Sequence, residues 1–192
     1  MPRPAVPARR AKILSVARML FSAHQYAHTT MADIAAAADM GVGSLYVYFP
    51  TKEAIAATLV ERYFAELHEA IIPPLRDLVG AKAIAEALTA GINSAELNID
   101  VVVLLRVIPP RYVLPERTRL LEAIEQAVDR QIHEGHFSPF DPRFITEWIN
   151  AQVEWVIIRC LIERAAEIKD YLRQLTDVVI RAIVQPSDAT DA

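Results

Sequence analysis

Cysteine occurs once in the 192 residues, at Cys160, so the chain cannot close a disulfide on itself and a reducing compartment suits it. Glycine is scarce, at five residues, and none sits in a loop of the kind that cradles phosphate. Zinc-protease and nucleophile-elbow motifs are missing, so no enzyme activity, no cofactor and no metal site are expected. No apolar run is long enough to cross a bilayer, and Met1-Pro2-Arg3-Pro4 lacks the apolar core of a signal peptide. A cytoplasmic location without membrane association is the expectation. Strand-like alternation, internal repeats and low-complexity tracts are also lacking.

What is present is apolar and helical. The chain is 53% hydrophobic, enough to bury a sizeable core, and twelve prolines punctuate it. The periodicity predicts an all-α protein. A first helix runs from about Ala8 to Ala23, with Ile13, Leu14, Ala17, Leu20 and Phe21 on one face and Tyr26 packing at the corner beyond. A later helix starts at Lys52 and is expected to stop at Pro73-Pro74, with a short helix over Pro73 to Val79. Two more are expected over Ala81 to Gly91 and Ser94 to Ile108. Pro115 opens one that Gly135 ends, and the last two are expected over Arg143 to Ala165 and Ile168 to Val184. Cys160, in an Ile-rich stretch, reads as a small buried hydrophobe.

The net charge of -4 divides unevenly. Residues 1–55 hold six basic side chains (Arg3, Arg9, Arg10, Lys12, Arg18, Lys52) against three acidic ones (Asp33, Asp39, Glu53). The remainder holds 14 basic against 21 acidic. A basic head on an acidic body presents phosphate-attracting charge at one end only. With so few cations in the head, non-specific affinity should be modest.

Between Thr29 and Ala54 the head reads TTMADIAAAADMGVGSLYVYFPTKEA. Thr30 followed three residues later by Asp33 is a compact capping-box pattern, and Ile34 with Ala35 to Ala38 propagates a short helix. Asp39 and Gly41 interrupt it, and Leu45, Tyr46, Tyr48 and Phe49 follow at helical spacing. Two brief helices across a tight turn describe a helix-turn-helix, whose second helix enters the DNA major groove.

This segment, with Ala17, Leu20 and Phe21 upstream and Lys52 at its end, resembles the N-terminal domain of the TetR family of bacterial transcriptional regulators. The likeness covers about Ala8 to Phe64. It implies a helix-turn-helix DNA-binding domain over 8–54, a ligand-binding and dimerisation domain over 55–185 that shares the fourth helix, and a flexible tail over 186–192. The resemblance also implies a recognition helix from about Gly41 to Tyr46. Val42, Gly43, Ser44 and Tyr46 would face the groove, and Thr30, Tyr48 and Lys52 would meet phosphates. Four departures stand out. Val42 takes the place of a common Lys, Val47 that of a frequent His between the two tyrosines, Gln25 replaces a common Gly, which implies some strain or a different corner, and Asp39 replaces another Gly that an aspartate can imitate. Without a long donor to guanine, base reading should lean on thymine methyl groups and DNA shape.

The body offers less. Arg143, Glu147, Asn150 and Glu154 form a polar stripe that turns apolar at Ile157 and Leu161, and the last helix is apolar along Leu172, Leu175 and Val179. Paired with their symmetry mates, these helices (143–184) would make a four-helix homodimer interface, as the resemblance also implies. Arg106, Tyr112, Trp148, Asn150, Gln152, Trp155 and Arg159 supply the mix of aromatic and polar groups that lines a pocket for an apolar or amphipathic effector. His133 and His136 stand three apart, and one of them is expected to serve the helix terminus at Gly135 rather than a metal. The expected function is a ligand-responsive repressor on a palindromic operator. The competing reading is a helical small-molecule-binding or dimeric interaction module that does not bind operators.

Overall fold

The computed structural model describes residues 6–23, 25–162 and 168–185. Within them lie nine α-helices and no strand beyond an isolated Phe137–Val184 bridge. They are α1 (Val6–Ala23), α2 (Met31–Ala37), α3 (Val42–Tyr48), α4 (Lys52–Asp77), α5 (Gly80–Leu97), α6 (Ile99–Leu104), α7 (Leu114–His133), α8 (Pro142–Val156) and α9 (Ile168–Ile183). Single 3₁₀ turns cover Tyr26–His28 and Pro110–Tyr112, and a π-helical turn covers Ile157–Ile162.

The chain divides into two compact units, residues 1–63 with 100–116, and 64–99 with 117–192. In the first, Ile13, Leu14, Ala17 and Phe21 of α1 are buried together with Ile34, Leu45, Phe49, Ile55 and Leu59, the apolar face that the helical spacing marks out. Phe21 and Tyr26 meet edge to face at 5.1 Å, which fixes the corner after α1. The second unit has its core among Ile84, Leu88, Val128, Phe137, Ile145, Val179 and Ile183.

Three expectations about helix boundaries are corrected. α4 does not stop at Pro73-Pro74 but runs through both to Asp77, so no separate helix covers Pro73 to Val79. Each proline removes one backbone donor, the one that would serve the carbonyl four residues earlier. α7 acts further along and holds the carbonyls at the C-terminal end of α4. Arg130 Nη2 donates to the Leu75 and Arg76 carbonyls at 2.8 and 2.6 Å, and Gln131 Nε2 donates to Leu75 and Leu78 at 3.2 and 2.7 Å. Gln131 is wholly buried, and its Oε1 accepts from Gly80 N at 3.2 Å, so one side chain closes α4 and opens α5. Gly80 reverses the chain there with φ of 57°.

The second correction is α5, which continues past Gly91 to Leu97 and leaves α6 only six residues. Gly91 is kept in the helix by packing, since a Cβ there would lie 3.3 Å from Ile71 Cδ1. Third, the helix expected over Arg143 to Ala165 is α-helical only to Val156 and then π-helical to Ile162. Its end at Ala165, the side chains of Cys160, Leu161 and Ile168, and the tail from Pro186 lie outside the described residues. Gly135 stops α7 as expected, with φ of 82°; Gly135 N reaches Ile132 O and His136 N reaches Gln131 O.

Candidate nucleic-acid interface

The geometry of α2 and α3 follows from their caps. Thr30 Oγ1 accepts from Asp33 N at 3.2 Å while Asp33 Oδ2 accepts from Thr30 N at 2.8 Å, the reciprocal box that the spacing suggests. At the other end Met40 N donates to Ala35 O and Asp39 N to Ala36 O, a complete Schellman turn with Asp39 left-handed at φ 57°. Gly41 then caps α3 through its carbonyl, which accepts from Ser44 N and Leu45 N at 2.9 and 3.1 Å. The turn therefore has no slack.

α3 is a seven-residue helix anchored by Leu45, which is fully buried, and by Phe49 just past its end. Val42, Gly43, Ser44, Tyr46 and Val47 are exposed, and a Cβ at Gly43 would touch nothing within 4 Å. Tyr48 is half-buried. Thr30 is exposed at the start of α2. Val47, absent from the expected contact set, is 83% exposed and stands out furthest among the large apolar side chains of the head.

Several cations of the head are engaged inside it. Lys52 Nζ donates to Tyr26 O at 2.7 Å and Ala27 O at 3.4 Å, and lies 4.4 Å from the Tyr26 ring centre. Lys52 thus secures the turn after α1, which sequence reasoning on phosphate contacts did not foresee. Arg10 stacks on Phe49 at 4.3 Å and donates to Tyr48 O at 3.5 Å. Arg18 holds Asp100 through two hydrogen bonds. Tyr26 Oη donates to Glu53 at 3.2 Å. Burial first and the Glu53 carboxylate second push the Tyr26 phenol up to about 12, whereas hydrogen bonding, first from its own backbone, holds Glu53 below the usual carboxylate range.

The candidate effector residues fall into different places. Trp148, Gln152 and Trp155 come together with Tyr171 and Gln174 on an open groove of about 220 Å³ between α8 and α9. Trp155 and Tyr171 pack edge to face at 5.3 Å. Tyr171 and Gln174 carry no sequence signal that marks them out. Asn150 instead donates to Glu154 at 3.0 Å on the α8 surface, and Arg159 is exposed on the π turn. Arg106 and Tyr112 belong to the first unit, Arg106 exposed and Tyr112 beneath the Arg111 guanidinium at 4.8 Å. His133 Nδ1 lies 2.9 Å from Asp129 O, and the described residues hold no group of three metal-ligating side chains. No helix among them is long and apolar enough to cross a membrane.

A rigid two-helix corner presenting an exposed short helix on a three-helix head defines a helix-turn-helix DNA-binding unit. Residues 13–59 match the family model described as bacterial regulatory proteins, tetR family. The HTH-type transcriptional repressor DhaR of Mycobacterium sp. (strain GP1) is 26% identical over 197 residues, covering 93% of this chain and 94% of that protein. SmeT, the repressor of the Stenotrophomonas maltophilia multidrug efflux pump SmeDEF, shares the fold at a TM-score of 0.78 and 22% identity, over 92% of this chain and 91% of its own. FadR from Bacillus subtilis, solved in complex with stearoyl-CoA, does so at 0.77 and 13% identity, over 88% and 97%. Residues 13–59 therefore carry a TetR-type DNA-binding domain, and the chain as a whole is similar to TetR-family transcriptional regulators in sequence and fold.

Proposed function

We propose that this regulator acts as a homodimeric repressor, released from a palindromic operator when a small apolar or amphipathic molecule enters its body. The observation that carries this reading is α3, a short helix locked by Leu45 and a Schellman turn with its outer face bare. Thr30, Val42, Gly43, Ser44, Tyr46 and Tyr48 would meet DNA, with Lys52 holding the turn beside them. Two heads with recognition helices about 34–36 Å apart would read two half-sites one helical turn apart. Residues 55–185 would hold the effector and the dimer surface. Trp155 and Val178 are 50% and 55% exposed on α8 and α9, and such apolar exposure favours pairing through 143–184. The groove at Trp148 and Gln152 opens on that same face, so an effector there would couple to pairing. FadR's stearoyl-CoA is the kind of amphipathic ligand such a body accommodates.

Gel shifts with duplexes from upstream of the regulator's own gene, joined to sedimentation analysis, test the reading. The expected result is a dimer that shifts a discrete fragment, with Tyr48→Ala weakening all fragments alike. A monomer indifferent to duplex DNA in dilute salt would overturn it and leave the helical interaction module.

A further inference from the structure

Successive residues on a helix are about 100° apart, so Val47 projects roughly 160° around α3 from the buried Leu45. It is 83% exposed and points straight out of the head. Gly43, one turn earlier on the same line, adds only backbone, with open space where a Cβ would be. Val42 and Tyr46 flank this line at 39% and 52% exposure, and Ser44 closes the other side. The outward face of α3 therefore holds two valines, a bare backbone strip and two hydroxyls. It carries no guanidinium, ammonium, carboxylate or amide side chain.

This composition restricts what the face can read. Guanine is read by Arg or Lys, adenine by Asn or Gln, and cytosine by a carboxylate, and none of these is available. Serine and tyrosine hydroxyls do not discriminate sharply, because they donate and accept alike. The remaining feature of the major groove is the C5-methyl group of a pyrimidine, which valine can cover. The missing Gly43 side chain lets the helix backbone approach the groove floor closely enough for that contact.

Building on the operator-binding reading, we infer that Val47 is a specificity-determining residue that recognises C5-methylated pyrimidines. The chemistry is shared by thymine and 5-methylcytosine. Covering one methyl-sized group changes affinity about fourfold.

The test begins by selecting duplexes from a random pool with the full-length protein. Each thymine of the selected site is then replaced by deoxyuridine, which removes only the methyl group. One or two positions in each half-site should weaken binding about three- to fivefold, and Val47→Ala should bind the thymine and deoxyuridine duplexes equally at one of them. Replacing that T·A pair by C·G and then by 5-methyl-C·G separates the two sources. Recovery with 5-methylcytosine supports methyl reading in general, whereas no recovery confines it to thymine. Indifference to deoxyuridine at every position overturns the inference while operator binding stands. A loss that persists unchanged in Val47→Ala also overturns the assignment to Val47. Failure to enrich any duplex overturns this inference and the operator reading together.

Discussion

The Arg18 guanidinium donates to both carboxylate oxygens of Asp100, with Nη2 to Oδ1 at 2.7 Å, and ties α1 to the first turn of α6. The two residues stand 82 positions apart in the chain. Both are partly shielded, at 38% and 20% side-chain exposure, so the pair is worth more than a surface contact and less than a buried one. Asp100→Asn is expected to lower unfolding stability by about 1 kcal/mol, read as a shift in urea midpoint. Arg18→Lys should not restore it, because an ammonium cannot match both oxygens. A change under about 0.3 kcal/mol would show the pair to be energetically idle.

Gln25 holds φ 63° and ψ 144°, a backbone region that non-glycine residues reach only under strain. Gln25→Gly should therefore raise stability by about 1 kcal/mol despite the extra freedom it gives the unfolded chain. Asp39→Gly should gain less, since aspartate tolerates the left-handed region better than most residues. Thermal melts of the two variants rank them. The reverse order would place the strain elsewhere.

Gln131 makes three hydrogen bonds in a fully buried setting, to Leu75 O, Leu78 O and Gly80 N. Gln131→Leu keeps the volume but leaves those backbone groups without this partner, at an expected cost of about 2–4 kcal/mol. Hydrogen exchange should quicken at the α4–α5 junction first. Protection that stays unaltered there would mean that the end of α4 needs no such support.

Tyr26 and Tyr63 phenols are both pushed up to about 12, Tyr63 by burial alone. In the unfolded chain these phenols ionise near 10.0, so the folded state keeps its protons longer. The stability they contribute is complete below pH 10 and is lost progressively as pH rises toward 12. Ultraviolet titration should find late-ionising phenols at Tyr26 and Tyr63, and Tyr63→Phe should flatten the alkaline fall in stability. A titration without any late-ionising phenol in the folded protein would contradict this.

Because Arg10, Arg18 and Lys52 are already engaged within the head, few cations remain to displace counterions from DNA. If the protein binds as the proposed dimer, with each head neutralising about two or three phosphates, the log–log salt slope should be near -4 or -5. Fluorescence anisotropy across a salt series measures it. A slope near -10 would mean that those internal contacts break on binding.

Local chemistry made the head legible. The Thr30–Asp33 box, the Asp39 turn, the strain at Gln25 and the buried line of Ile34, Leu45 and Phe49 all depend on neighbours within a few residues. Charge near the binding face was harder to read. Lys52 counts as a cation in the sequence, but only folding brings it onto the Tyr26 carbonyl. Val47 stands in the sequence where the TetR family often has His, but its outward direction follows only from which side of α3 Leu45 must bury.

The sequence by itself determined the helical class, the two-helix corner and the division into a basic head and an acidic body, because capping, periodicity and charge are local or additive. Tertiary structure alone decided how the end of α4 is capped, why Gly91 has little room for a side chain and that Arg18 meets Asp100. Each of these rests on a partner distant in sequence, whether Arg130, Gln131, Ile71 or Asp100. A local propensity can be overruled by hydrogen bonds and packing that form only once the chain has folded back on itself.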